Sequence, residues 1–247
     1  MDIRNKIKIN IIAFFLLAVM FGNAVLSMKD DSLTFDELSH ITSGYSYLVK
    51  KDYRLNSEHP PLAKDIAAFP LFFLKLNFPD NSPNWLQKES TPAWWVQFDL
   101  GREFIFHSGN NPREIIFLSR LAMIVFLVFF GWLLFWWTKK TTNETIALTV
   151  LLFFSFSPTI LAHGRLSNTD VGAAFGAFLS TIFWLKFLSK TSWNNVLIAG
   201  ITFGIALLLK FSLILLIPFF ILITLLYVFL FKQKILPYLI KSLISGL

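Results

Sequence analysis

Residues 115–137 read IIFLSRLAMIVFLVFFGWLLFWW. At 1.5 Å per residue a helix of this length runs about 35 Å, more than the ~30 Å hydrocarbon core of a bilayer. The run is apolar around its whole circumference, and Lys139 and Lys140 close it in the way basic residues mark a span end. It reads as a transmembrane helix. One charge interrupts it. Arg120, about a turn inside, is either a functional group or a side chain snorkelling towards the headgroups.

The sequence on either side repeats the pattern. Arg4, Lys6 and Lys8 precede an apolar run over 9–28. That run exceeds the ~7–15 residues of a signal-peptide core and lacks an A-x-A site after it, so it reads as an uncleaved first span. Spans follow at 145–162 and 171–188. The apolar stretch from Val196 to Phe231 would make a helix of about 54 Å, too long for one crossing. A turn at Lys210 divides it into spans over 196–209 and 213–231, and a partial seventh begins at 235. The expected fold is an all-α polytopic membrane protein. It has about six to seven transmembrane helices in a single module over 1–247, with a long first outer loop over 29–114 that carries membrane-surface helices.

Composition agrees: 55% of residues are hydrophobic, 17% aromatic and only 15% charged. The net charge of +7 is not a nucleic-acid footprint, because residues 29–114 hold 12 acidic against nine basic residues. The excess of Lys and Arg flanks the spans instead. Placing the N-terminus in the cytoplasm puts nine such residues inside, against Arg165 and Lys210 on the short outer connections. The long loop then faces the outer side of the cytoplasmic membrane. The absence of cysteine excludes disulfides and thiolate chemistry. No P-loop, GxSxG, HExxH or dinucleotide glycine pattern occurs.

Within the loop, Phe35 to Lys64 reads FDELSHITSGYSYLVKKDYRLNSEHPPLAK. On a helix, Asp36 and His40 lie one turn apart on one face. A carboxylate there could serve as general base for a hydroxyl acceptor, or bind a metal with His40; Thr34 and Glu37 have capping-box spacing. The two prolines after His59 stiffen the entry to a helix beginning near Pro61, whose first turn carries Lys64. A cation at that helix end suits a phosphate or carboxylate, or is a plain surface lysine. The apolar residues from Leu62 to Leu76 suggest a helix lying on the membrane. Trp85, Trp94 and Trp95 fit either the headgroup level or a small extramembrane core. On the next outer connection, Arg165 suits a phosphate near the start of span four, with Asp170 opposing it. Lys210 is a cation deep in apolar sequence, hence a functional candidate or a snorkelling anchor.

These residues carry a family resemblance. D-E-x-x-H (Asp36, Glu37, His40), G-Y-x-Y-L (Gly44 to Leu48) and D-x-R-L-N-x-E-H-P-P-L-A-K (Asp52 to Lys64) resemble the first outer loop of family 39 glycosyltransferases of the GT-C class. That family includes the protein O-mannosyltransferases and lipid A aminoarabinose transferases. R-L-x-x-x-D (Arg165 to Asp170) and Lys210 after Gly200 and Gly204 extend the likeness over about Ile3 to Phe231. It implies a GT-C-like membrane enzyme that moves a sugar from a polyprenyl-phosphate-linked donor to a lipid, glycan or protein acceptor. Asp36 would be the catalytic base and Glu37 would contact or orient the acceptor. His40, His59, Lys64, Arg165, Asp170 and Lys210 would bind substrate, the cations holding the lipid phosphate. No cofactor is implied; a divalent metal held by Asp36, His40, His59 and Asp170 is the alternative to Asp36 as base. Family members usually continue through further spans. The chain therefore also reads as an N-terminal portion, a truncated or split non-catalytic protein that binds a lipid carrier, or one completed by a partner chain.

Overall fold

A computed structural model describes residues 3–87 and 93–232, together with 237, 238 and 241, and side chains from residue 7 onward. The helices are α1 (Ile3–Met28), α2 (Phe35–Tyr45), α3 (Pro61–Ala68), α4 (Pro83–Leu86), α5 (Val96–Arg102), α6 (Pro112–Thr141), α7 (Glu144–Phe156), α8 (Pro158–Gly164), α9 (Asp170–Ser189), α10 (Trp193–Leu209) and α11 (Leu216–Leu230). No strand occurs among the described residues. The expected partial seventh span lies almost wholly outside them, as do Lys234 and the side chains of Arg4 and Lys6.

Four segments are long and apolar enough to cross a membrane: Ile7–Met28, Pro112–Thr141, Asp170–Ser189 and Phe211–Leu230. The third expected span is broken rather than continuous. α7 and α8 meet at a 59° bend, because Pro158 has no N–H to continue the ladder and suits the first position of a new helix. The Ser157 hydroxyl accepts from the Ile160 N–H (3.4 Å) and caps it. α10, at 17 residues, is a shorter apolar helix of about 25 Å. Lys210 ends it in extended backbone (φ −158°, ψ 126°), the break expected there.

The chain forms two compact units, Met1–Ser57 with Lys64–Val171, and Glu58–Ala63 with Gly172–Leu247. In the first, α1, α6 and α7 pack side by side and α8 joins them, while α2 lies along α5. The long loop is thus folded helical structure with its own core of Ile41, Tyr45, Leu71, Phe104, Ile105 and Ile115. Glycine sets how closely α2 is held. A Cβ on Gly44 would lie 2.2 Å from the Lys64 carbonyl oxygen of α3, and one on Gly101 would lie 2.5 Å from that of Leu38. The membrane-surface helix expected over 62–76 is shorter than the pattern suggested. α3 stops at Ala68, and a 3₁₀ turn over Phe69–Phe73 follows because Pro70 cannot donate. Phe69, Phe72 and Phe73 remain exposed. Of the tryptophans, Trp85 packs edge-on to Phe78 and Trp94 edge-on to Phe98, while Trp94 and Trp95 keep most of their surface exposed.

The second unit is built on aromatic packing. Trp184 and Phe187 of α9 meet Phe203 of α10 and Phe220 of α11, with the Trp184 and Phe220 rings stacked 5.0 Å apart.

Candidate active site

The site is organised by an ion pair buried in the first unit. Arg120 and Glu37 are both 0% exposed. Arg120 Nε donates to Glu37 Oε1 (2.9 Å) and Nη2 to Oε2 (2.7 Å), a bidentate pairing. The guanidinium also donates to the carbonyls of Asp31 (3.1 Å) and Ser32 (2.8 Å). Glu37 accepts further bonds from the Thr34 N–H (2.9 Å) and hydroxyl (3.0 Å) and from the Ser167 N–H (3.0 Å). Two buried charges persist together only when their remaining valences are filled, and here they are. Burial alone would push the Glu37 carboxyl up. The bonds from Arg120, Thr34 and Ser167 and the Arg120 charge outweigh burial and hold it below its ordinary 4.5. Glu37 therefore caps α2 as its spacing with Thr34 predicts, and also ties α2 to α6 and to the loop after α8. With no exposed surface Glu37 positions the elements it joins, which leaves it the orienting rather than the contacting half of the role the family resemblance implies.

His40, one turn on, completes the clamp. It is buried, and Nδ1 lies 2.9 Å from the Ser167 carbonyl, which can only accept, so Nδ1 carries the proton. Glu37 and His40 thus hold the N–H and C=O of one residue in the loop of Arg165 to Asp170. The anion attracted by a free N–H of this loop is the chain's own carboxylate. Asp36 and His40 do not share an environment despite their spacing, since Asp36 is exposed. Among the described residues no hydrogen bond or ion pair engages the Asp36 carboxylate. The ring of Phe35 beside it stacks on Phe98 at 4.1 Å.

The other sequence candidates fall in three places. Lys64 is no surface lysine: it is 1% exposed and donates to the Tyr47 hydroxyl (2.8 Å) and to Asn56 O (2.8 Å) and Oδ1 (3.0 Å). Asn56 donates onward to Gln97 Oε1 (2.6 Å), which also receives the Ser39 hydroxyl (2.5 Å). Arg165 pairs with Asp31 (2.5 Å) and bonds the Ser27 carbonyl. The carboxylate facing it is thus Asp31, while Asp170 stands 3.5 Å from His163 Nδ1. His59 and Lys210, both partly buried, belong to the second unit. Among the described residues there is no group of three or more His, Asp or Glu side chains that could hold a metal ion.

Sequence reasoning missed Ser167, Gln97 and Asn56 as parts of these networks, and left Arg120 between two readings. It also passed over Asp65, next to Lys64, whose carboxyl burial pushes up against the opposing charges of Lys64 and Lys51. A lone arginine inside an apolar span was the available signal.

With several helices of membrane length and no strand among the described residues, the protein is a multi-pass membrane protein. Residues 104–245 match the model of one family, described as dolichyl-phosphate-mannose-protein mannosyltransferase. That is more than half of the chain, and the chain belongs to this family. The match includes Arg120, Arg165, Asp170 and Lys210 and begins after the motif of Phe35 to Lys64. No curated protein and no solved structure matches the chain.

Proposed function

We propose that the protein transfers a sugar from a polyprenyl-phosphate-linked donor to a hydroxyl acceptor at the outer membrane face, with Asp36 as general base. The observation that carries this reading is the contrast between adjacent carboxylates. Glu37 is fully enclosed by donors, while Asp36, one residue before it on the same rigid helix end, is exposed. A base must reach the acceptor, and its carrier must not move.

In the reaction Asp36 takes the acceptor hydroxyl proton as that oxygen bonds to the anomeric carbon. The bond from this carbon to the donor phosphate breaks, and polyprenyl phosphate leaves with the electron pair. Arg165, on the loop fixed by Glu37 and His40, is the cation of the same unit that we assign to the leaving phosphate, exchanging Asp31 for it. Membranes containing the full chain, given polyprenyl-phosphate-linked sugars, test the proposal. Asp36→Asn should lower transfer by about 10²–10⁴-fold, the usual contribution of a general base. Equal activity of the variant and wild type removes Asp36 from the role.

A further inference from the structure

At the end of the first unit marked by Lys139 and Lys140, α1 and α6 enclose a groove of about 810 Å³. Its α1 wall is Asn10, Ala13, Phe14 and Leu17, and Trp132, Phe135 and Trp136 form the α6 wall below the two lysines. Both sets follow helical spacing, so each is one face of its helix. The helices touch at the inner end, where a Cβ on Gly131 would lie 2.9 Å from Leu17 Cδ2. Towards the lysines the groove is lined by the small Ala13, and Lys139 bonds Asn10 across it (3.2 Å).

The charge at the mouth is unbalanced. Lys139 is held by Glu144 (3.1 Å) and Asn10 (3.2 Å), which consumes one positive charge. Lys140 is exposed and lies 5.1 Å from the centre of the Trp136 ring, and exposed Lys8 sits two residues before Asn10. The walls are open sideways: Phe14 is 74% and Trp132 48% exposed, on helices that cross a bilayer. An occupant arriving from that side is an acyl chain. An occupant satisfying Lys140 and Lys8 carries a negative head. We infer that the groove binds an anionic diacyl phospholipid, its phosphate at Lys140 and one chain along Phe14, Leu17 and Trp132. The inference stands apart from the transfer reaction and from Asp36.

The test is native mass spectrometry of the full chain in detergent, loaded with dioleoyl-phosphatidylglycerol or dioleoyl-phosphatidylcholine. The wild type should retain the anionic lipid at least about fivefold better, the factor expected for one basic group facing an anionic lipid. Lys140→Gln should reduce that preference and leave phosphatidylcholine retention unchanged. Trp132→Ala should weaken both lipids, because it shortens the apolar wall. Equal retention of the two lipids by wild type overturns the inference, and so does an undiminished preference in Lys140→Gln. A wild-type dimer that binds no lipid and dissociates on Trp132→Ala assigns the groove to a second copy and likewise overturns it.

Discussion

The two units are stabilised by different chemistry. The described interior of the first holds charge, with Arg120, Glu37 and Lys64 each at most 1% exposed: Arg120 and Glu37 bond each other 83 positions apart, and Lys64 bonds Tyr47 and Asn56. In the second, the buried polar groups among the described residues are neutral, Ser180, Asn195, Thr202 and Thr224, set among stacked rings. Aromatic packing tolerates adjustment, whereas a buried ion pair has one arrangement that satisfies it. The unit with buried charge is the one that carries Asp36, the proposed base. The comparison predicts that polar substitutions in the first unit cost several times more than in the second.

The largest effect should follow from splitting the central pair. Glu37→Gln leaves the Arg120 guanidinium buried without its counter-charge and should destabilise the protein by about 3–5 kcal/mol, as broken buried pairs do. Arg120→Met should do the same to Glu37. The double variant should recover part of the loss in thermal unfolding of detergent-solubilised protein, a coupling that additive single effects would contradict. Asp36→Asn, by contrast, should leave the unfolding free energy within about 0.5 kcal/mol of wild type, since its side chain is exposed.

The same pair gives a pH dependence. Glu37 titrates lower in the folded protein than its ordinary 4.5, so the unfolded chain binds the proton more readily. Its contribution is fully present above pH 4.5 and is lost as pH falls through the folded value. Unfolding temperature should therefore drop on acidification below that point, and Glu37→Gln should flatten the drop. An equally steep acid limb in the variant would assign it to other carboxylates.

Next in size is Gly44→Ala. The new methyl would meet the Lys64 carbonyl at 2.2 Å and the Ala68 Cβ at 2.8 Å, and backbone cannot swing aside as a side-chain tip can. Overpacking of this kind costs about 1–3 kcal/mol. The separation of α2 and α3 would shift Lys64, so a small change in unfolding temperature would mean that the two helices are less tightly held than their geometry implies.

Much of the framework was legible in the sequence because span length and flanking charge are local properties. The apolar runs over 9–28 and 115–137 and the break at Lys210 are read from composition alone, and the helices there run to Met28, Thr141 and Leu209. The bend at Pro158 was also written there, in the Ser157-Pro158 pair, but the apolar residues on both sides read as one span. The partners of the polar residues were not legible. Capping-box spacing located Thr34 and Glu37, yet nothing local says that Arg120, 83 positions away, fills the other side of that carboxylate. Lys64 shows the same limit: its first-turn position suggests an open cation, and only the fold of residues 47–56 over it encloses the ammonium.

The smallest effect belongs to the second unit. Trp184 Nε1 donates to the Thr224 hydroxyl (3.2 Å), which in turn donates to the Phe220 carbonyl one turn back (2.7 Å). Thr224→Val keeps the side-chain shape and removes both bonds. The Phe220 carbonyl still has the helical N–H geometry around it, so the unmet group is the indole N–H. Single hydrogen bonds between membrane helices average about 0.6 kcal/mol, because the alternatives in a membrane also find partners. The Trp184 ring should stay stacked on Phe220, since that contact does not involve the hydroxyl. Unfolding of Thr224→Val should accordingly fall within 1 kcal/mol of wild type, about a fifth of the Glu37→Gln loss. A loss as large as that of Glu37→Gln would show that the second unit is as exacting as the first, and the contrast between charged and aromatic interiors would no longer explain where the site lies.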